Sequence, residues 1–430
     1  MNINPLDTTE QRELDKLAYN IYEQAIDKTT TVYQKFLGAK RKATDAYILA
    51  HGHYQEKLKP EVLETLDPTI NELLFSAIQK AVNIDPYFPS IYWVNNAKPR
   101  LSFDKEFEIP GGRYSYDNPD TIYRMVPIDS NNRYIINGKQ NTKGGTSDYT
   151  YSLIINPNSQ NTVAYLDKNT LEVDSNGEYT ITIDNSTSEG KSNHLQSNDM
   201  VQFLFIRHNL ADWSCEIPDT LRVELINQAR EKTISLDDII NTAVKNLEES
   251  AITYGVGAMG VETYIPNPVN TVPQPKQSSV LGTLVTQASS FGHIDIDESE
   301  AFIITVYTGG AKYFVVPISN AWIISVNADY HQSSLNNRQA YPNNDGSYTF
   351  VVSLKDPGVA NWLDTAGLHE NTLMIRWQNM PQDSKPNVSY ELVPLSDLKR
   401  YLPPETQFLT PDERRDSLQH RMNGYHKRDI

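Results

Sequence analysis

Asn176-Gly177-Glu178-Tyr179-Thr180 is matched, far downstream, by Asp345-Gly346-Ser347-Tyr348-Thr349. Each is a turn dipeptide that opens a strand: Gly after Asn or Asp accepts tight-turn backbone angles, and Tyr-Thr favours a pleated surface. An arginine closes a strongly apolar run 30 residues beyond each glycine, in Ile206-Arg207 and in Ile375-Arg376. Upstream, Val126-Pro127-Ile128-Asp129-Ser130 pairs with Val316-Pro317-Ile318-Ser319-Asn320, each followed by an aromatic and two isoleucines (Tyr134-Ile135-Ile136 and Trp322-Ile323-Ile324). β-rich segments share these residue types by composition, so one match would carry no weight. Three in the same order, one equally spaced, predict a duplicated β-sandwich unit.

Around these stretches the period is two. Tyr123, Met125 and Ile128 precede the turn-like Asp129-Ser130-Asn131-Asn132, and Arg133-Tyr134-Ile135-Ile136 follows, a hairpin pattern. Short β-rich runs continue at 149–155, 171–173, 179–183 and 201–206. They resume at 302–306, 313–317, 322–326, 349–354 and 373–377. No helix separates the strands of the first region, which argues against a parallel sheet.

Helical spacing holds elsewhere. Leu14, Leu17, Ile21 and Ala25, then Val32 and Phe36, step by three or four behind hydroxyl start signals at Thr8 and Thr9. Gly38 and Lys40-Arg41-Lys42 read as an exposed break. Ile70, Leu73, Leu74, Ala77, Ile78 and Ala81 form a second stripe between Asp67-Pro68 and Asp85-Pro86. A further helical stretch is expected over 218–252, started by Pro218-Asp219 and carried by Ile239, Ile240, Ala243, Val244 and Leu247. Pro266, Pro268, Pro273 and Pro275 mark an extended covering segment. The expected organisation is a helical region 1–90, a first sandwich 91–215, a helical connector with a Pro-rich segment 216–295, a second sandwich 296–395 and a charged, helical tail 396–430. That is an α+β chain with two related antiparallel, jelly-roll-like sandwiches.

Composition narrows the function. The 430 residues hold 54 acidic and 38 basic side chains, a net charge of −16, which excludes non-specific nucleic-acid binding and adhesion to anionic membranes. Cys215 is the single cysteine, so no internal disulfide forms. Met1-Asn2-Ile3-Asn4-Pro5-Leu6-Asp7 has no basic head or apolar run, which predicts a cytoplasmic protein. No apolar stretch approaches the roughly 18 residues of a spanning helix. The chain does not declare its oligomeric state.

Motifs with chemical meaning are few. Gly255-Val256-Gly257-Ala258-Met259-Gly260 satisfies G-x-G-x-x-G, but a dinucleotide site needs a strand before it and a helix after it. Here it follows a helix and reads as a helix-ending loop, so no cofactor is expected. His51-Gly52-His53 has no acidic or cysteine partner nearby, and no metal is expected. Cys215 beside Trp213 reads as a buried small residue rather than a nucleophile. His331 and His369 have acidic neighbours but read as surface histidines. More informative is Asp356-Pro357-Gly358-Val359-Ala360-Asn361-Trp362-Leu363-Asp364-Thr365-Ala366-Gly367, closing on Leu373-Met374-Ile375-Arg376-Trp377. Trp supplies area and an indole donor, while Asn, Asp and Arg supply directed hydrogen bonds, as in a polar-ligand pocket. A self-packed loop pinned by Trp362 is the equally open alternative.

This loop, with Asp117-Asn118-Pro119-Asp120-Thr121-Ile122-Tyr123 and Ser334-Leu335-Asn336-Asn337-Arg338-Gln339, resembles the bacterial family labelled "domain of unknown function 1214". The resemblance covers residues 290–380 most clearly and extends more weakly from about 110. It implies a β-sandwich or jelly-roll fold and no established activity. Three functions stay open. The first is a protein that binds a polar small molecule through Asn118, Arg207, Asn361, Trp362, Arg376 and Trp377. The second is a cofactor-independent enzyme using Asp120 and Asp364 for proton transfer, with Arg207 or Arg376 holding an anion. A structural or assembly protein is the third, by analogy of fold alone.

Overall fold

The computed structural model describes residues 4–52, 58–95, 97–158, 161–226, 231, 233–264, 268–277 and 287–429. Helices α1 (Thr9–Ile26), α2 (Thr31–Gly52), the short α3 (Pro60–Glu64) and α4 (Leu66–Val82) come first. The Thr8 side chain caps α1 by accepting from the Gln11 N–H. α2 runs straight through Gly38 and the basic cluster, against the expected break. Its buried stripe of Val32, Phe36, Ala39, Ala43, Tyr47 and His51 keeps helical spacing throughout. Burying that stripe outweighs the roughly 1 kcal/mol that an interior glycine costs.

Strands follow in two sets. The first holds β1 (Tyr92–Val94), a small hairpin of β2 (Arg100–Leu101) and β3 (Glu108–Ile109), β4 (Thr121–Pro127), β5 (Tyr134–Lys139) and β6 (Asp148–Ile154). It continues with β7 (Thr162–Asp167), β8 (Glu178–Asp184), β9 (His194–Gln196), β10 (Phe203–Asn209) and β11 (Thr220–Leu225). α5 (Leu236–Glu248), wider π-helical turns (Glu249–Gly260) and α6 (Val261–Tyr264) come next. The second set holds β12 (Lys276–Gln277), β13 (Ala288–Asp295), β14 (Glu300–Tyr307), β15 (Tyr313–Asn320) and β16 (Ser334–Asn336). β17 (Tyr348–Ser353), β18 (Trp362–Asp364), β19 (Glu370–Gln378) and β20 (Asn387–Pro394) complete it, before α7 (Pro411–Tyr425).

Both sets are wound alike. The first forms sheets β1-β4-β10-β6-β7 and β11-β5-β8-β9; the second forms β12-β13-β19-β15-β16 and β20-β14-β17-β18. From β4 to β11, each strand has its counterpart nine places later. One expectation needs correction, since the sandwiches are not wholly antiparallel: β8 pairs with β9, and β17 with β18, in parallel. Residues 185–193 and 354–361 return the chain to the starting end of the strand before it pairs, which is what a parallel neighbour requires. Each sandwich closes its own apolar core. A third and larger core lies between the helices and the outer faces of the five-stranded sheets, where Tyr123, Phe205, Phe291 and Met374 meet α1, α2, α4 and α5.

Several local readings change. β4 and β5 belong to opposite sheets, so the turn at 129–132 carries the chain across the core and makes no hairpin. Val126-Pro127 ends β4, whereas Val316-Pro317 lies inside β15, the counterpart of β6, so the upstream match is chance. Residues 171–173 and 322–326 form no named strand. Trp322 is instead a fully buried plug whose indole N–H donates to the Val62 carbonyl at 2.9 Å. Leu221, Val223 and Leu225 alternate and lie on β11; the helix begins only after the Ser235 cap. Residues 268–277 run extended beside β13, with Thr271 bridging His293, while Pro266 lies outside the described residues. No helix among the described residues is long and apolar enough to cross a membrane.

Candidate anion-binding site

Side chains on β10 and β19 alternate between two faces. Leu204 and Ile206 enter the first sandwich core, and Leu373, Ile375 and Trp377 the second. The opposite faces present Arg207 and Asn209, and Arg376 and Gln378. Each residue of the first pair stands 169 positions before its counterpart. These equivalent positions meet: Asn209 Nδ2 donates to Gln378 Oε1 at 2.5 Å, and Gln378 Nε2 to Gln287 Oε1 at 2.6 Å.

Arg207, Arg376, Tyr114, Tyr116, Tyr123 and Tyr254 wall a cavity here, with Asn118, Asn209, Gln287 and Gln378 among its polar groups. The cavity has a volume of about 40 Å³, room for a few waters or a small oxyanion. No carboxylate lines it among the described residues. Arg376 donates to the main-chain oxygens of Met374, at 3.4 Å, and Tyr116. The Arg207 guanidinium lies 4.2 Å from the Phe205 ring centre. Burial lowers the Arg207 pKa, and Arg376 adds to that, while Tyr114, Tyr123 and Tyr254 oppose it. Burial pushes Tyr254 up to about 12 against the pull of both arginines, so its hydroxyl stays neutral.

Lys80, on α4, adds a third cation behind this wall. Its ammonium sits 4.2 Å from the Tyr114 ring centre and 3.4 Å from Ser250 Oγ, and burial pushes its pKa down to about 7. Charge buried in this way is costly unless something compensates it, and an anion in the cavity would do so.

Asn118, Arg207 and Arg376, expected as ligand contacts, come together here. The others go elsewhere. Trp377 fills the second sandwich core. Asn361 holds the backbone of Tyr341 and Thr349. Trp362 is 6% exposed, donates to Ser353 O at 3.0 Å and lies under the Arg414 guanidinium. Gly358 takes the positive φ of +80° that the Asp-Pro-Gly turn needs. Trp362→Ala should therefore lower stability by about 3–5 kcal/mol in urea titrations and leave anion binding at the cavity unchanged.

The two carboxylates expected for catalysis have separate surroundings. Asp120 is fully buried and accepts from Trp213 Nε1 at 2.9 Å, Tyr313 Oη at 2.7 Å and Asn336 Nδ2 at 2.7 Å. Burial raises its pKa against those donors and Arg421. Asp364 pairs with His331 Nδ1 at 2.8 Å and accepts from the Ala366 N–H. His369 pairs with Glu61 at 2.9 Å.

Two motif readings are also revised. The G-x-G-x-x-G stretch is no loop but part of the π-helical turns. A Cβ on Gly255 would stand 2.5 Å from Tyr47 Oη, and one on Gly257 2.8 Å from Ile252 O. The glycines thus permit close packing beside Tyr254. Cys215 is exposed, not buried, because it sits in the surface loop after β10. Burial and the Asp212 hydrogen bond raise its pKa, the opposite of an activated thiol. A larger groove of about 310 Å³ borders Trp213 and Cys215. Its Lys427 and Arg428 are engaged with the Ser214 and Pro119 carbonyls.

Comparison with known proteins adds a match to a family model over part of the chain, and a similar fold. Residues 305–382 match the family described as "Protein of unknown function (DUF1214)". The matched stretch contains Tyr313, Asn336, Glu370 and Arg376. An uncharacterized protein from Burkholderia cenocepacia has a similar crystal structure, with TM-score 0.71 and 20% identity over 88% of this chain and 99% of that one. That likeness speaks for the fold alone. A Vibrio parahaemolyticus protein aligns with TM-score 0.41 and 11% identity, over 82% of this chain and 99% of that one. No curated protein matches the chain.

Proposed function

We propose that the protein binds a small molecule bearing an oxyanion, a carboxylate or a phosphate, between Arg207 and Arg376. The observation that carries this reading is two buried guanidiniums in one cavity whose described walls hold no carboxylate. Planar guanidinium forks fit carboxylate and phosphate oxygens in bidentate fashion. Tyrosine hydroxyls and amides supply neutral donors around them. Binding is favoured over acid–base catalysis because guanidiniums and tyrosines with raised pKa values carry protons poorly at neutral pH. We also read the shared strand order as a duplication, which would build the site from one strand position used twice.

Calorimetric titration with phosphate, sulfate and small carboxylates, at low ionic strength, tests the reading. One of these should bind wild type at least about 30-fold more tightly than Arg376→Gln, a difference of roughly 2 kcal/mol. The variant should keep the wild-type far-UV circular dichroism, because the buried charge it sheds offsets the lost hydrogen bonds to the Met374 and Tyr116 carbonyls. Equal anion affinity in the two proteins would refute the site.

A further inference from the structure

We infer that His51, His293 and Glu370 together hold one divalent transition-metal ion, zinc by preference, as a structural tie between the helical layer and the second sandwich. The three side chains come from separate elements. His51 ends the buried stripe of α2, in its last turn. His293 lies on β13 opposite Thr372 of β19, which puts Glu370 two residues along on the same outward face. The two strands thus supply a histidine and a carboxylate as diagonal neighbours. The helix end lowers a second histidine onto them.

The donor atoms converge. His293 Nε2 lies 2.8 Å from Glu370 Oε1, and His51 Nε2 contacts the same oxygen. All three candidate ligand atoms fall within 4.8 Å of one another, and each residue is at most 1% exposed. Two imidazole nitrogens and a carboxylate are a donor set that suits zinc. With zinc bonds of about 2.0–2.2 Å, tetrahedral donors stand roughly 3.3 Å apart, so both histidine–carboxylate contacts lengthen when the ion enters, the His51 contact more than the His293 one.

The surroundings fit a closed site. His51 Nδ1 is buried with no hydrogen-bond partner, so Nε2 carries the ring's polar contact, and that contact points into the cluster. The Tyr264 and Trp322 rings stand 5.6 and 5.2 Å from the His51 ring, and Tyr264 stands 5.4 Å from His293. Such an aromatic wall excludes water and marks the site as structural. Glu370 is six residues from Arg376 along β19, about 20 Å at 3.3–3.4 Å per residue. The metal inference therefore stands or falls separately from the anion cavity.

Plasma mass spectrometry of the purified full chain should find about one zinc per chain. Dialysis against a chelator should remove it and lower the melting temperature, and zinc, but not magnesium, should restore both. His293→Gln and Glu370→Gln should each bind zinc more than about 100-fold more weakly with native far-UV circular dichroism. Should these variants not fold, X-ray absorption at the zinc edge of wild type reads the ligands directly, with two imidazoles and carboxylate oxygen expected. A chain that takes up no zinc overturns the inference. So does a melting temperature unmoved by chelator and zinc, zinc retained in His293→Gln, or an edge spectrum showing another ligand set.

Discussion

Replacing Asp120 with alanine should cost roughly 4–6 kcal/mol of folding stability. The carboxylate accepts hydrogen bonds from Trp213, Tyr313 and Asn336, and the last two belong to the second sandwich. Alanine would orphan three buried donors at once, each worth about 1–3 kcal/mol. It would also remove two of the polar contacts between the sandwiches, leaving the Asn118 bond to the Tyr313 hydroxyl, at 2.8 Å, and the Asn209–Gln378 bond. Asp120→Asn should cost less, since its amide oxygen still accepts, but its NH₂ must face at least one donor. The ordering wild type, Asn, Ala should appear in urea midpoints at constant m-value. A loss below about 1 kcal/mol for Asp120→Ala would mean that the junction is held elsewhere.

The readable parts of the fold were those with a strong local period. β10 and β19 announce themselves through Ile206-Arg207 and Ile375-Arg376, and the shared 30-residue spacing reflects matched strand order. The stripes of α1 and α4 were legible for the same reason. What failed was non-local. Nothing near residues 129–132 tells a hairpin from a crossing between sheets, because both need the same turn residues. Trp322-Ile323-Ile324 has strand composition but is used as a plug against the helices, with Ile323 at a positive φ of +59°. Leu221, Val223 and Leu225 alternate plainly, yet Pro218-Asp219 offers a start signal that outvoted them.

The candidate cavity was legible in Asn118, Arg207 and Arg376 alone. Arg207 and Arg376 stand out because arginine is rare in an apolar strand. Asn209 and Gln378, two positions on, could have been found by the same alternation. Tyr114, Tyr116, Tyr254 and Gln287 could not, since they come from loops and π-helical turns that only tertiary packing brings together. Trp362 left two readings open for a physical reason: a large aromatic with polar neighbours describes a pinned loop as well as a pocket. His51 looked isolated because its partners lie 242 and 319 residues away in sequence.

Lys80→Met should stabilise the protein near neutral pH and flatten the pH dependence of anion binding. Burial pushes the Lys80 amine from an ordinary 10.5 down to about 7. Between those values the unfolded chain binds more protons than the native one, so the stability this group contributes rises with pH across the window. It is lost as pH falls through 7, and the deficit there is on the order of 5 kcal/mol. Methionine keeps the volume and removes the deficit, but forfeits the contact with the Tyr114 ring, about 1–2 kcal/mol. The net gain should be about 3 kcal/mol at pH 6.5, shrinking steadily towards pH 9.5. Urea titrations of both proteins at matched pH isolate the term, because other titrating groups cancel in the difference. A gain independent of pH would show that Lys80 is not the group responsible. Binding supplies the second readout. If the ammonium helps hold an anion beside Tyr114, wild-type affinity should fall as pH rises through 7, and Lys80→Met should bind more weakly with no such fall. Stability gained and affinity lost in the same variant would mean that the buried charge is kept for the ligand rather than for the fold.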